Sequence, residues 1–475
     1  MNRIPVCVSL ALVVAGIAGC IPEKRVNWAP DGQKAAVIGG DRGLFLCDGN
    51  GVLSERLTGG VASVAWFPDS QRLAIVQSEK ISAWADLTAV LTPEQRQRIV
   101  SVGDALRAEL LAFAGNWDDF PAHALSEVNG AISAAALLYT RDKYAEAVSV
   151  KLGPNKWAEL QDVTTEIGAL HVAHVGNGKL ALGRPIIRSI FRAAEPRVSP
   201  RGTAIAFLTR SAGDNDTIVL NVVPADGSAS PRMVAAPVAM FADWSADGCE
   251  LVFAASNQGP AAPSDKLHLG VIARRRVCDA DGALLKTFGE QEDLVGILFQ
   301  DESRVRCLRD GRIVFAAVEV QLPCTAADMP DRAGLFVVDP SRAPGVSRLV
   351  PRQAAALLPD VVGLFEMSPD EQRICVPGGN GDIAVLTVAT GEVQTYLSAD
   401  KANGLVTQPC WRSDTELCFA VHSSGAGDFA RSDIVLCKVD GRGESSERRV
   451  ISGNWPQGVV LEFLQKKPAV PEGNP

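Results

Sequence analysis

The side chains in this chain that could do chemistry are few and scattered. His171 and His174 are the one close pair among five histidines. A shared helix face with further ligands would make them a metal site. On a strand, a separation of three places them on opposite faces, and no other ligand-type residues cluster nearby, so no metal site is expected. Asp118, Asp119, Asp214, Asp216, Asp382 and Asp428 stand in loops or linkers. Two such carboxylates about 5–9 Å apart could act on glycosidic bonds. There is no Gly-x-Ser-x-Gly elbow and no phosphate-binding glycine loop. No catalytic residue and no cofactor is therefore assigned. The formal charge of −9 is spread along the chain, whereas a dedicated nucleic-acid binder needs a concentrated basic face. Arg274-Arg275-Arg276 and the spaced run Arg184, Arg188, Arg192, Arg197, Arg201 read as solvated strand faces and loops.

One short stretch does carry a defined chemistry. The chain opens MNRIPVCVSLALVVAGIAGC: one Arg, an apolar run from Ile4 to about Ile17, small residues, then Cys. About 14 apolar residues are too few to cross a bilayer core comfortably and fit the apolar region of a secretory signal. Ile17-Ala18-Gly19-Cys20 resembles the lipobox of bacterial lipoproteins. The resemblance implies cleavage between Gly19 and Cys20, diacylglycerol on the Cys20 sulfur and an acyl chain such as palmitate on its new amine. Each buried CH₂ then contributes about 0.8 kcal/mol to membrane anchoring. Residues 1–19 would be the cleaved signal peptide and 20–25 the lipidated tether. Ile21 and Pro22 follow the Cys, with no Asp in the position that retains such proteins in the inner membrane; this points to the outer membrane.

Nine further cysteines follow Cys7 and Cys20, an odd number, most inside apolar runs such as LFLCDG and ELCFAV. There Cys behaves as a small buried hydrophobe. Cys410 and Cys418 are symmetric about Asp414 and so face each other across any hairpin there, which leaves a disulfide between them open.

The elements that position these residues come from a repeat. Trp28 begins WAPDG, Trp66 WFPDS, Val198 VSPRG, Trp244 WSADG, Cys307 CLRDG, Met367 MSPDE and Trp411 WRSDT, each followed by an apolar run such as LAIVQ or LVFAA. A Pro, Asp or Gly turn between short apolar alternations is a hairpin signal. A third strand recurs downstream, as in GLFLCDG, EAVSVKL, TIVLNVV, LHLGVIA, GLFVVDP, DIAVLTV and DIVLCKV, and charged or apolar fourth strands such as VLSERLT and EVQTYL follow. Asp382 and Asp433 precede their strands, where they would hold turn amides. Four-stranded meanders of this kind shield both faces only by closing radially. The expected fold is an all-β propeller of about seven four-stranded blades over residues 26–465, with a flexible tail at 466–475. Six blades remain possible, and HVGNGKLALG at 174–183 could hide part of an eighth. The hairpins resemble those of TolB-type and WD-like propellers. The aromatic ending each first strand is expected to pack between blades.

One gap of 132 residues, between the motifs at Trp66 and Val198, holds a different period. Thr92, Pro93 and Gln95 form a capping-box start, and Ile99, Val102, Leu106, Leu110 and Phe113 repeat at three and four up to Gly115. A second helix opens at Asp118 or Asp119 near Pro121, with Leu125, Val128, Ile132, Ala135 and Leu138 on one side. The insertion, 88–143, is read as a helical hairpin in blade two, after strand B and before EAVSVKL as strand C. It would stand at the propeller end opposite the Pro-Asp-Gly turns. The N-terminus enters at that same end, about five residues from Cys20, a reach of roughly 17 Å. The expected function is a lipid-anchored, periplasm-facing envelope propeller serving as a non-enzymatic platform for protein interaction or ligand binding. Its partners would be the membrane, through the Cys20 lipid, and an envelope protein. The alternative is a propeller enzyme acting on carbohydrate with carboxylates at the channel mouth.

Overall fold

In a computed structural model the residues described are 25–39, 43–113, 130–176, 178–191, 194–210, 217–256, 267–300, 303–321, 334–342, 345–349, 364–377, 382–398, 404–406, 409–423 and 431–452. They form a seven-blade β-propeller of four-stranded antiparallel sheets with four helices. Strands are lettered A to D within each blade, in chain order. Blade one is Val26–Trp28, Lys34–Ile38 and Leu44–Asp48, its outer edge closed by single bridges Cys47↔Leu53 and Leu44↔Thr58. Blade two is Val61–Trp66, Arg72–Ile81, Thr165–Gly176 and Lys179–Ser189. Strand A is Ala194–Val198 in blade three, Val238–Trp244 in blade four, Val305–Cys307 in blade five, Glu366–Met367 in blade six and Cys410–Ser413 in blade seven. The A strands of neighbouring blades approach one another, so A is the innermost strand throughout.

The motif turns are built alike. In blade one the Gly32 amide donates to the Ala29 carbonyl and the Ala29 amide to the Lys34 carbonyl, a tight turn closed by a residue in the left-handed region. Gly32 has φ 66°, Gly248 φ 70° and Gly311 φ 87°, while Ser70 and Glu371 take the same conformation at φ 56° and 62° and bear its steric cost. The preceding Asp caps the turn: the Asp31 carboxylate accepts from the Gln33 amide at 3.0 Å and that of Asp69 from the Gln71 amide at 2.8 Å. Turns bond to their neighbours, as in Asp31 N to Ser70 Oγ at 3.1 Å and Arg373 Nη1 to the Asp414 carbonyl at 2.7 Å. They therefore form a collar on one end of the ring.

Every pair of adjacent blades shares an apolar cluster, including the last with the first. Ile38 and Leu73 belong to the seam between blades one and two, Phe67 and Phe207 to the next, and Leu220 and Phe253 to the third. Ile272 with Phe315, Leu335 with Ile374, and Tyr396 with Phe419 continue the series. Val37, Cys47, Cys410, Cys418 and Ile434 close it between blades seven and one. Burial of such surface contributes roughly 25 cal/mol per Å². Among the described residues no strand is exchanged at the closing seam, since blade one runs from Val26 to Thr58 and blade seven from Gly404 to Ser452. Side-chain packing closes the ring there.

The insertion in blade two is larger than the sequence reading placed it. It comprises α1 (Trp84–Thr88), α2 (Pro93–Ala112), α3 (Gly130–Lys143) and α4 (Ala145–Gln161). The capping box at Thr92 forms as expected, and Ile99, Leu106, Leu110, Ile132, Ala135 and Leu138 are buried. Gly115, Asp118, Asp119, Pro121, Leu125 and Val128 lie outside the described residues. The stretch EAVSVKL, read as strand C, is helical. Its alternation suits a strand, but α2 and α3 present an apolar face on which Val148, Leu152, Trp157 and Leu160 pack with Leu106, Leu110 and Leu137. Strand C is instead Thr165–Gly176, and HVGNGKLALG is the C–D hairpin of blade two rather than part of an eighth blade. Gly103 permits close approach of α2 and α3: a methyl group there would meet Tyr139 Cδ1 at 2.4 Å. Ile81, Ile167, Ile190 and Phe191 of blade two seat the helices. The insertion leaves between Ile81 and Thr165, a paired position at the end of the blade away from its motif turn, as the strand alternation required. Among the described residues no helix is long and apolar enough to cross a membrane.

Candidate functional site on the channel wall

The innermost strands bring together charges that the linear sequence keeps far apart. The residue just before the motif position is Asn27, Ala65, Arg197, Asp243, Arg306, Glu366 and Cys410 in blades one to seven. From blade three to blade six this position is charged without exception. Asp243 of blade four accepts from Arg306 Nη1 of blade five at 3.1 Å and from the Cys307 amide at 3.0 Å. Arg304 of blade five, fully buried, donates to Glu366 of blade six and to the Phe365 carbonyl at 2.9 Å. Its guanidinium also lies over the Phe241 ring of blade four, 4.3 Å from the centroid. Three blades are thus tied by one arginine, a cation–π contact joining two charge-assisted hydrogen bonds.

Arg197 of blade three is placed differently. Its nearest carboxylate oxygen, on Glu195, is 3.9 Å away, beyond hydrogen-bond reach. Burial, then the positive charges of Arg304 and Arg306, push the Arg197 pKa below its ordinary value, with Glu195 and Asp243 opposing. Asp243 acts in the other direction on Arg306, whose pKa it raises. The innermost strand of blade four lies between Arg197 and the guanidiniums of Arg304 and Arg306, bonding Arg306 through Asp243 and the Arg197 carbonyl through Trp244. Solvent reaches 21% of the Arg197 side chain and 29% of that of Arg306.

The sequence-predicted residues fall elsewhere. Gly19 and Cys20 lie outside the described residues, as do Asp118, Asp119, Asp214, Asp216 and Asp428. Asp382 precedes strand Ile383–Thr387, as expected, whereas Asp433 lies inside strand Arg431–Lys438, opposite Val421. His171 is buried with Nδ1 3.0 Å from the Gly183 carbonyl, while His174 is exposed; strand alternation separates them. Among the described residues no group of three His, Cys, Asp or Glu could hold a metal ion. Cys410 and Cys418 are direct cross-strand partners, both as free thiols. The arginine run divides. Arg188 pairs with Glu79 at 2.7 Å near the surface, and Arg201 bonds the Asp247 carbonyl at 2.7 Å in the collar. Arg197 stands on the innermost strand of blade three with most of its side chain buried, so the expectation of solvated faces fails for it. The channel arc has one sequence signal, its place immediately before each motif, and that became meaningful only once the A strands were known to converge.

No family model matches the chain, and no curated protein matches it. Solved structures do. A putative TolB from Agrobacterium tumefaciens is 15% identical, over 58% of this chain and 86% of its own, with a TM-score of 0.35. The β-propeller domain of the Trilobed protease from Pyrococcus furiosus is 13% identical over 60% and 74%, with a TM-score of 0.36. An oligogalacturonate lyase in complex with manganese is 12% identical over 76% and 75%, at 0.39. These distant neighbours include a TolB, a protease and a lyase, so they leave the activity open. The chain is a seven-blade β-propeller with TolB-like structural neighbours.

Proposed function

We propose that this protein is a lipid-anchored β-propeller of a bacterial cell envelope, working as a non-enzymatic platform that binds a protein partner or a ligand. The observation that carries the reading is polarity of the ring: motif turns collar one end, while the helices and the first residues of strand A in blade one stand at the other. A chain tethered through Cys20 a few residues before Val26 would hold the helical end toward its membrane and offer it to a membrane-proximal partner. Anchoring, the outer-membrane address and the partner are parts of this proposal.

Among the described residues the channel fits a binding role better than glycoside cleavage. Its two arginine-held carboxylates, Asp243 and Glu366, each accept from blade five, whereas a cleaving pair needs one carboxyl group free to protonate the leaving oxygen. Palmitate labelling of the full chain and of Cys20→Ala in a bacterial host tests the tether. Label and membrane fractionation should both disappear in the variant; label retained without Cys20 would defeat the anchoring. Crosslinking from photoreactive residues placed at the exposed Val150 of α4 and, separately, at Asp310 in the collar tests the platform. A discrete adduct from Val150 and not from Asp310 is expected, and the reverse pattern would overturn the orientation.

A further inference from the structure

We propose that the guanidinium of Arg197 is the binding group for a small carboxylate ligand entering the channel. The inference rests on reading the channel as a binding site and names its ligand chemistry.

Arg197 and Arg306 stand on the innermost strands of blades three and five, with Arg304 just before the latter, and all three touch the innermost strand of blade four between them: Trp244 bonds the Arg197 carbonyl, Arg306 bonds Asp243 and Arg304 lies over Phe241. Arg304 and Arg306 each have a carboxylate engaged by hydrogen bonds, Glu366 and Asp243 respectively. Arg197 donates no side-chain hydrogen bond to a described residue, and its Nε is shut away from solvent with no acceptor among them. Arginine does not escape such a position by releasing its proton. The relief that remains is an anion, and the charges of Arg304 and Arg306 that disfavour an isolated Arg197 cation favour that anion.

The residue best placed to supply the anion is Glu195, but it is held back. Glu195 has φ 46°, in the left-handed region that non-glycine residues rarely occupy. It sits in an A-strand bulge, where Ala194 pairs with Leu208 and Arg197 with Ala206, so that Glu195 and Pro196 stand opposite Phe207 alone. Bulges re-aim side chains and concentrate near binding sites. This one leaves the Glu195 carboxylate 3.9 Å from the Arg197 Nη2, where it offsets charge without closing a hydrogen bond. The part of the Arg197 side chain that solvent reaches then remains for a planar carboxylate, whose two oxygens match a guanidinium edge. Glu195 and the ligand compete for the same cation.

The opposed roles of the two residues make the test. Succinate and citrate are titrated calorimetrically into the full chain in detergent, with the neutral diamide succinamide as control. Saturable one-site binding of at least one of the two carboxylates is expected, with none for succinamide. Arg197→Gln should weaken binding about tenfold or more, and Glu195→Gln should tighten it severalfold by removing the competing charge. Thermal unfolding of both variants checks that the ring is intact. If Arg197→Gln does not fold, the Glu195→Gln result decides. Absence of binding up to about 10 mM, equal binding of succinamide, or Glu195→Gln binding no tighter than the natural chain would each overturn the proposal. None of these outcomes alters palmitate labelling or the crosslinking pattern, so the ligand assignment and the platform reading can fail separately.

Discussion

The indole N–H of Trp244 donates to the backbone carbonyl of Arg197, one blade back, at 2.9 Å. Trp66 makes the same bond to the Asn27 carbonyl at 2.8 Å, and Trp411 to that of Glu366 at 3.0 Å. The motif Trp therefore clamps the preceding blade at its innermost strand, on the residue just before that blade's own motif position. Burial of the ring and satisfaction of its N–H coincide, as a buried indole requires. Trp28 differs. Its preceding neighbour is blade seven, and its buried Nε1 donates to no backbone carbonyl there but lies by the Cys418 thiol.

Trp244→Phe keeps the apolar ring and removes only the donor. A buried carbonyl left without its partner costs about 1–2 kcal/mol. The urea midpoint should fall accordingly, with an unchanged dependence on urea concentration. A variant as stable as the natural chain would show that the bond contributes nothing to the seam.

At the closing seam Arg412 takes over. Its Nε donates to the Gly32 carbonyl at 3.0 Å, its guanidinium lies 4.9 Å from the Trp28 ring centroid, and Glu416 stands 3.4 Å away. Arg412→Ala should cost about 1–2 kcal/mol. Amides of Lys34–Ile38 should exchange faster in the variant, while those of Glu250–Ser256 across the ring keep their protection. Uniform loss of protection would mean that the seam does not open first.

Arg141 ties the insertion to its blade. It is buried and donates to the carbonyls of Ser82, Gln161 at 2.9 Å and Val163 at 3.0 Å, while pairing with Asp142 at 2.6 Å. These contacts join the entry and exit of the helices. Arg141→Ala strands three carbonyls and should cost about 3 kcal/mol. Hydrogen exchange in 93–112 and 145–161 should rise before any change in the distant blades, and unaltered helix protection would refute the clamp.

Burial, and secondarily their neighbouring acidic groups, raise the pKa of Cys47 and of Cys278 from 9.0 to about 11. The folded state thus holds these protons more tightly than the unfolded chain. The associated stability is present below pH 9 and lost as pH rises toward 11. Urea midpoints should fall across that window, and Cys47→Ala should flatten part of the fall. An identical pH profile in the variant would remove Cys47 from the account.

The sequence by itself determined the blades. Trp-x-Pro-Asp-Gly and its relatives carry local instructions: an Asp that caps turn amides, a residue that accepts a left-handed backbone, and alternation on either side. The start of α2 was equally legible, because the capping of Thr92 by Gln95 is contained in four residues. EAVSVKL was misread because a period of two over seven residues also lets Val148 and Leu152 share one helix face; its state was decided by packing on α2, some forty residues back in the sequence, and on α3 folded against it. Of the channel arc only the positions immediately before each motif were legible, not what they bring together. Arg197, Asp243, Arg304, Arg306 and Glu366 belong to four different blades, and charge in single residues leaves no periodic trace. Only closure of the ring sets them on one wall, because there the innermost strands converge and water is too restricted to screen one charge from the next.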